Sequence, residues 1–382
     1  MNFLLDQQHH AIYEKAKAYS VECLAPFASQ LENDRELLKA KMKEMAEQGF
    51  YGLGIPKEMG GHSYNYLQMS LVYEGLAYGS GIMSFLLQLQ NNINMEIATF
   101  YEDIDPEILK VVPDLANGNK TTAFVLTESA SGCDPSATNA YAELDGDVYH
   151  IHGQKDWITN AQDADYFNVM VKDGKDSQNM IMLFVPNGTP GIRYIANRER
   201  MIGNGIIVGS LEFDNCTVSK ANLLSANGFK EALKAIDVAR VFTPAIAIGV
   251  AQQAVDSVAA YLGQRESFGK PILTNQGIQW QLAEMNTKIE AARCLLYKTA
   301  AVMDSGEPVA NIAAMNKLFA TDVAMEVTVK CAQLFGAEGF MKDAPIGKSM
   351  AVAKMLQIVD GTSEIQKIVV GRGIARQYLP RR

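Results

Sequence analysis

The chain has 382 residues, enough for two or three domains built around a large core. It is 48% hydrophobic and 20% charged, a composition typical of a soluble globular protein. The formal net charge of −9 and the lack of a basic run argue against nucleic acid as a partner, and no apolar run predicts membrane insertion.

Residues 1–120 are predicted to form an N-terminal helical domain. Helical spacing of apolar residues indicates helices at residues 11–28, 32–48, 67–78 and 83–101, with a Gly-rich loop at 51–61. In the last of these helices Gln88 and Asn91 interrupt an apolar segment and share one face. That face is either solvated or the polar wall of a binding pocket.

From residue 121 the pattern changes to short runs typical of β-strands. The runs at 122–126, 148–152, 166–171, 180–185 and 210–213 are separated by turns containing Gly, Asp and Asn. They predict a middle domain over residues 121–227, formed by an antiparallel sheet or barrel.

Residues 228–382 are predicted to form a C-terminal bundle of four or five helices. Long helical patterns cover 241–265, 276–305 and 309–334, and two further apolar segments flank residues 357–366. The predicted fold is therefore α+β, with the order helical domain, β domain, helical bundle.

One carboxylate, Asp360, lies between these last two helical segments. The pair Asp360-Gly361 favours a turn, and Ser363 with Gln366 fits a capping box that would start the next helix. Apolar residues on both sides would desolvate Asp360 and raise its basicity. Asp360 is thus either a base or a turn and capping residue.

Cysteine and histidine usage predicts neither disulfides nor a metal site. The five cysteines are dispersed without a C-x-x-C pair, and all histidines precede residue 153 at spacings that do not suit metal binding. With no signal peptide at the N-terminus, this pattern predicts a cytoplasmic protein with reduced thiols.

Four motifs in order carry a resemblance to a known family. Residues 126–134 are similar to T-E-P-x-A-G-S-D, and residues 153–160 match G-x-K-x-W-I-T-N. A D-x-x-R pair at Asp237 and Arg240 precedes an R-x-x-F-G-x-x-I segment at 265–272. Residues 361–366 match the end of E-G-T-S-E-I-Q. Together these motifs resemble the acyl-CoA dehydrogenase family of flavoproteins over essentially the whole chain.

The resemblance implies that FAD is the cofactor. Trp157 would pack against the isoalloxazine ring and Thr159 would lie near flavin N5, although Trp157 could instead be a core residue of a strand. An Arg265 guanidinium can bind pyrophosphate, and in the family it reaches the FAD of a neighbouring subunit, which implies a homo-oligomer, usually a tetramer formed as a dimer of dimers. The other implied cofactor-binding residues are Thr127, Cys133, Phe268, Gln276, Gln333, Gly336, Thr362 and Glu364.

The resemblance also implies a substrate site. Asp237 and Arg240 match residues near the CoA part of the substrate, with a capped, solvated helix start as the alternative. Gln88, Asn91 and Gly361 are the other implied substrate-binding residues. The segment 83–95 contains no Arg or Lys, so a dicarboxylic acyl group is disfavoured. A neutral polar, hydroxylated, cyclic or aryl-propionyl group remains, on CoA or on a carrier protein.

The implied reaction is α,β-dehydrogenation of an acyl-CoA thioester. Asp360 would remove the α-proton, the β-hydrogen would pass as hydride to flavin N5, and the electrons would pass to an electron-transfer flavoprotein. The usual family base is Glu, which is one methylene longer, and a second base position used by some relatives is occupied here by Ala239. Cys133 and Ser129 also replace the family Ser and Pro.

These departures leave other functions open. The same scaffold could serve as an enoyl-thioester reductase, a flavin-assisted lyase or an oxidase. A different class is a non-catalytic FAD-binding assembly protein, because a fold does not by itself determine activity.

Overall fold

The computed structural model describes residues 5–101 and 104–379. The chain forms two compact units, which we call the helical unit and the sheet unit. The helical unit contains Met1–Glu32, Asn65–Leu86 and Ala239–Arg382, and the sheet unit contains Asn33–Tyr64 and Leu87–Val238. The division into domains at 1–120, 121–227 and 228–382 stays a prediction.

The four helices expected before residue 102 are present. They are α1 (Gln7–Tyr19), α2 (Arg35–Glu47), α3 (Tyr66–Gly79) and α4 (Gly81–Thr99), followed by the short α5 (Pro106–Leu109) and α6 (Val112–Ala116). The first was expected to continue to residue 28. Instead, a π turn at Ser20–Leu24 and a 3-10 turn at Ala25–Phe27 follow α1, and Pro26 lacks the N–H that a continuing helix needs.

Two glycines of α3 permit close approach to the end of α1. A Cβ on Gly79 would lie 2.2 Å from the carbonyl oxygen of Ser20. This distance is a steric clash, so any other residue at position 79 would force the backbone to move. The Ser20 hydroxyl donates to the carbonyl of Gly75 at 2.9 Å. The two helices are therefore packed backbone to backbone within the helical unit.

The sheet unit contains an eight-stranded mixed sheet. Its strands are β1 (Thr122–Val125), β2 (Tyr141–Asp145), β3 (Val148–Thr159), β4 (Tyr166–Asp173), β5 (Met180–Pro186), β6 (Ile192–Asn197), β7 (Val208–Ser219) and β8 (Leu223–Ser225). The order is β6-β7-β3-β2-β4-β5-β8, and β1 pairs with β4.

The expectation of a purely antiparallel sheet or a barrel was wrong. Both β1 and β2 pair with β4 in parallel, and among the described strands the order is open rather than closed. The runs of β2, β6 and β8 were not expected from the sequence. Alternate residues of β4, including Phe167 and Val169, point into the buried core of the sheet unit.

A bundle of five helices follows the sheet, as expected. It consists of α7 (Gly228–Gln264), α8 (Gln276–Asp304), α9 (Ala310–Phe335), α10 (Pro345–Ile358) and α11 (Ser363–Tyr378). A small hairpin of β9 (Glu266–Ser267) and β10 (Lys270–Pro271) joins α7 to α8. Helix α7 continues through Pro244, which removes the backbone donor to the carbonyl of Arg240.

Over the described ranges 5–101 and 104–379, no helix combines the length and the apolar character needed to cross a membrane.

Candidate active site

The corner between α10 and α11 forces two successive residues into the left-handed region. Asp360 has φ +55° and Gly361 has φ +87°. Asp is one of the few residues with a side chain that adopt this conformation at small steric cost. Gly adopts it without steric cost, because it has no Cβ. The Asp-Gly pair therefore fits the backbone that separates the two helices.

The expected capping box at this corner was wrong. The N-cap of α11 is Thr362, whose side chain makes no capping bond, and Ser363 is already helical. Gln366 turns back instead, and its Nε2 donates to the carbonyl of Gly361 at 2.7 Å and to that of Asp360 at 3.3 Å. Gln366, which was expected to complete the capping box, therefore stabilises the turn at Asp360-Gly361 instead.

Two cations from other helices hold the same carbonyls. Lys317 on α9 donates from Nζ to the carbonyl of Gly361 at 2.8 Å. Arg240 on α7 donates from Nε to the carbonyl of Asp360 at 3.3 Å. Both side chains are buried, and burial lowers the pKa of Lys317 to about 8. Sequence reasoning missed Lys317, because no local pattern indicates that a lysine within a helix donates a hydrogen bond to a turn far away in sequence.

The Asp360 carboxyl group lies against α7. Its Oδ2 accepts a hydrogen bond from the Thr243 hydroxyl at 2.6 Å. Burial raises the pKa of Asp360 above its ordinary value, while the Thr243 bond and the charges of Lys317 and Arg240 oppose the rise. Asp360 is thus both a turn residue and a desolvated carboxyl group, and a raised pKa of this kind is common at catalytic positions.

Asp237 and Arg240 do not lie at a helix start, which was the alternative to a substrate-binding role. Both residues lie well inside α7, which begins at Gly228, and Arg240 is only 7% exposed. A capped, solvated position was therefore the wrong alternative for this pair, and a substrate-binding role stays a prediction.

In the sheet unit, Trp157 lies on a bulge of β3. The register between β3 and β7 shifts between Lys155 and Ile158, and Trp157 has φ +63°. Its side chain is 54% exposed, and the Arg198 guanidinium lies 4.3 Å from the centre of the indole ring. A core tryptophan was therefore the wrong alternative, because the bulge turns the ring outward.

A buried ion pair fixes the loop beside this bulge. Lys155 is fully buried, and its Nζ lies 3.0 Å from the Glu128 carboxylate and 2.9 Å from the Leu126 carbonyl. Glu128 also accepts from the backbone N–H of Ala140 at 3.0 Å. These bonds hold the residues on either side of Thr127.

Asp156, directly before Trp157, connects the same loop to β7. Its backbone N–H donates to the Thr127 carbonyl at 2.8 Å, and its carboxylate accepts from the Ser210 hydroxyl at 2.5 Å and from Ser129 N at 3.1 Å. Burial alone would raise the pKa of Asp156, but the hydrogen bonds from Ser129, Ser210 and Gln154 lower it to about 2. The carboxylate is therefore ionised, and it bonds the loop at Ser129 to Ser210 of β7 next to Trp157.

These residues fit a flat cofactor such as FAD. The exposed indole of Trp157 offers an aromatic face, and Thr127 and Thr159, both half-buried, place hydroxyl groups on the adjoining loop and at the end of the same strand. An isoalloxazine ring needs such a face and such polar contacts at its rim. Among the other residues expected at the cofactor, Cys133 and Glu364 are exposed and Thr362 is half-buried.

The residues expected to contact a second subunit's FAD are all accessible on the helical unit. Phe268, at the tip of the β9–β10 hairpin, is fully exposed with φ +52°. Arg265 lines a cavity of about 580 Å³ together with Tyr261 and Phe335. Gln276 and Gln333 are also exposed, and Gly336 has φ +63°. Their role stays a prediction.

The polar residues of α4 are buried, so a solvated face was the wrong alternative. Asn91 is used structurally: its Oδ1 accepts from Leu53 N at 3.3 Å and its Nδ2 donates to the Phe50 carbonyl at 2.9 Å. Gln88 is fully buried, and neither side-chain polar atom has a hydrogen-bond partner among the described residues. Of the two residues expected to bind substrate, Gln88 and Asn91, only Gln88 has polar side-chain atoms that are not already bonded to the protein.

Two further residues extend this pattern along α4. Asn92 and Glu96 follow Gln88 at successive turns, are 4% and 3% exposed, and each has one oxygen without a partner in the described parts of the chain. Burial raises the pKa of Glu96 to about 8, against the nearby charge of Lys234. We call Gln88, Asn92 and Glu96 the polar stripe; with Glu96 mostly protonated at neutral pH, the stripe offers both donors and acceptors.

Protein-family models match three successive parts of the chain. They describe the N-terminal domain of acyl-CoA dehydrogenase at residues 6–103, the middle domain at 123–216 and the C-terminal domain at 226–375.

Curated relatives match over nearly the full length. A probable acyl-CoA dehydrogenase, YngJ of Bacillus subtilis, is 33% identical over 98% of this chain and 100% of its own. The acryloyl-CoA reductase (NADH) of Anaerotignum propionicum is 33% identical over 99% and 97%. The 3-(aryl)acrylate reductase of Clostridium sporogenes is 30% identical over 97% and 99%.

Solved structures agree with the fold. A chain from the structure of the electron transferring flavoprotein of Acidaminococcus fermentans has a TM-score of 0.93 and 34% identity, covering 98% of this chain and 100% of that one. Butyryl-CoA dehydrogenase from Megasphaera elsdenii has a TM-score of 0.92 and 30% identity, with the same coverage.

Proposed function

Because this chain belongs to the acyl-CoA dehydrogenase family, an FAD-dependent family of oxidoreductases, we propose that it catalyses α,β-dehydrogenation of an acyl-CoA thioester with Asp360 as the base. The observation that carries the proposal is the Asp360 corner. A carboxyl group with a raised pKa is held at a turn fixed by three helices, as a base for a weakly acidic C–H requires.

The residues of the chain act as follows in the proposed reaction. Asp360, in its ionised form, removes the proton from the α-carbon. Its backbone N–H donates to the thioester carbonyl and stabilises the negative charge that develops there. FAD, when bound, supplies the hydride acceptor for the β-hydrogen. Arg240 and Lys317 hold the two corner carbonyls, so that the base stays in place during proton transfer.

Cofactor contacts are assigned to two groups of residues. Trp157, Thr159 and Thr127 bind the flavin end, supported by the exposed indole and by the loop that is hydrogen-bonded to the neighbouring Asp156. Arg265 and Phe268 reach a second subunit's FAD, together with Gln276, Gln333 and Gly336, which makes a homotetramer the expected assembly. The full exposure of Phe268 supports this assignment, because the ring at the hairpin tip is accessible to a second subunit.

Physiological reduction of an enoyl thioester is the second candidate. Two relatives of similar identity are named as reductases. The raised pKa of Asp360 also favours the acid form, which is the form that donates a proton to the α-carbon in that direction. The pH dependence separates the two: through the same pKa, dehydrogenation rises and reduction falls with increasing pH.

For the substrate we propose a neutral, polar acyl group. The support is the polar stripe, because buried donors and acceptors without partners are costly unless a bound molecule or ordered water meets them. A hydroxylated or amide-containing chain fits better than a plain alkyl chain, which would leave Gln88 unsatisfied. Replacing Gln88 by Leu should shift preference towards alkyl thioesters, whereas Gln90→Leu, on the other face of α4 where Gln90 bonds to Thr122, should leave the preference unchanged.

An electron-transfer flavoprotein is the proposed electron acceptor. The support is the similar chain in the electron transferring flavoprotein structure of Acidaminococcus fermentans. The sequence left CoA and a carrier protein open as the thiol, and we propose CoA because the matching family models are named for acyl-CoA. A cytoplasmic location stays a prediction from the sequence.

The test is an anaerobic titration of the FAD-loaded protein with thioesters from butyryl to hydroxyacyl and aryl-propionyl, followed by visible absorption. Bleaching of the oxidised flavin bands by a saturated thioester, absent in Asp360→Asn, would support dehydrogenation. Bands that no saturated thioester bleaches, in a protein that reduces enoyl thioesters once its flavin is reduced, would favour the reductase. A flavoprotein inert to both would refute the catalytic proposal and favour an assembly role.

A further inference from the structure

The Thr243 hydroxyl lies between two oxygen atoms. Its Oγ1 is 2.6 Å from Asp360 Oδ2 and 2.9 Å from the carbonyl oxygen of Ala239, one turn earlier in α7. Thr243 is completely buried, so water does not reach the hydroxyl. A hydroxyl carries one hydrogen and can donate to only one of these oxygens at a time.

The protonation state of Asp360 decides how strongly its Oδ2 attracts the Thr243 hydrogen. When Asp360 is ionised, both neighbours are acceptors, and the charged one attracts the hydrogen more strongly. When Asp360 is protonated on Oδ1, Oδ2 is still an acceptor but no longer carries charge, so the Thr243 hydrogen can turn to Ala239. The Ala239 carbonyl loses little in either state, because it also accepts the helical bond from the backbone N–H of Thr243.

We propose that Thr243 is a positioning residue for Asp360: it fixes Oδ2 against α7 and leaves Oδ1 as the oxygen that takes the α-proton. The inference rests on the proposed function. It also gives a reason for the short side chain. An aspartate placed at the corner reaches the Thr243 hydroxyl, and this contact holds the carboxyl group in a defined position.

Other groups act on the same carboxyl group without fixing its orientation. Arg240 from α7 and Lys317 from α9 add positive charge, and each donates to a backbone carbonyl of the corner. Asp322 from α9 and Glu364 from α11 act on Lys317 in turn. The hydroxyl of Thr243 is the neutral donor whose bond to Oδ2 is strongest when Asp360 is ionised.

Thr243→Val tests the proposal, because valine keeps the branched shape and removes the hydroxyl. The bond to Thr243 favours the ionised base, so its loss should move the rising limb of kcat/KM for dehydrogenation to higher pH. At pH values below the shifted limb, kcat/KM of the variant should be lower than that of the wild type by on the order of tenfold or more, as expected for the loss of a hydrogen bond to a charged group. KM should change little, and Thr243→Ser should restore the wild-type profile.

The outcomes are distinct. An unchanged pH profile in a folded Thr243→Val protein would overturn the inference while leaving Asp360 as the base. Full activity in Asp360→Asn would instead overturn the proposed function. If Thr243→Val does not fold, Thr243→Ala and Thr243→Ser test the proposal in its place. It then requires a shifted pH profile in the alanine variant and a wild-type profile in the serine variant, and any other result overturns it.

Discussion

Replacing Asp360 by Glu restores the residue usual in the family, and it tests whether this site is built for the shorter side chain. The added methylene lengthens the side chain by about 1.5 Å. In the structure Asp360 Oδ2 is already 2.6 Å from the Thr243 hydroxyl, so the longer side chain cannot keep this bond without moving the carboxyl group aside.

A displacement of about 1 Å at a catalytic group can cost roughly 100-fold in rate. We therefore expect Asp360→Glu to reduce the rate of anaerobic flavin bleaching by about two orders of magnitude. The left-handed conformation at residue 360 also suits Asp better than Glu, so a loss of about 1 kcal/mol in stability is expected.

The assay is stopped-flow absorption of the FAD-loaded protein mixed with the best saturated thioester across a range of pH. Asp360→Asn serves as the inactive control and Thr243→Val as the control for the lost bond. A glutamate variant that is as fast as the wild type, or faster, would refute the argument that the corner and Thr243 are matched to aspartate.

Three further changes test the structure around the site. Lys155→Met should destabilise the protein by about 3–5 kcal/mol in chemical denaturation, because it leaves the buried Glu128 carboxylate unpaired, and adding Glu128→Gln should recover part of this loss. A denaturation midpoint equal to that of the wild type would contradict the ion pair. Gly79→Ala should cost about 1–3 kcal/mol by forcing α1 and α3 apart, whereas Gly371→Ala, where a Cβ meets nothing within 4 Å, should stabilise by about 0.5–1 kcal/mol. Equal effects of the two alanines would refute the close approach. Trp157→Ala should weaken FAD binding to the apoprotein about tenfold in a fluorescence titration, and unchanged affinity would exclude ring contact.

The sequence predicts the order of elements because that order depends on local periodicity. The apolar spacing of α3, α8 and α9 and the short alternating runs of β4 and β5 are properties of neighbouring residues. The parallel pairing of β1 with β4 is not a local property, because the relative direction of two strands depends on the path of the chain that connects them. The barrel prediction failed for that reason.

The candidate site shows the same division. The corner at Asp360-Gly361 could be read from turn chemistry, and the Trp157 motif from resemblance. The Thr243 contact joins residues 117 positions apart, and the Lys317 contact joins residues 44 apart, so no local pattern indicates either. In α4 the polar residues were visible, but only the structure separates Asn91, which bonds to backbone, from Gln88, which does not.

The carbonyl bonds at the corner also link the site to the folding of the whole helical unit. Arg240, Lys317 and Gln366 come from three helices, so the backbone at residues 360 and 361 takes its final form only when α7, α9 and α11 have all assembled. A molecule that recognises the corner therefore has nothing to bind in the unfolded chain. It should raise the melting temperature by mass action, with about 2.7 kcal/mol of added stability at a concentration 100 times its Kd. A melting shift thus ranks acyl groups without turnover, and it does so even in the Asp360→Asn protein.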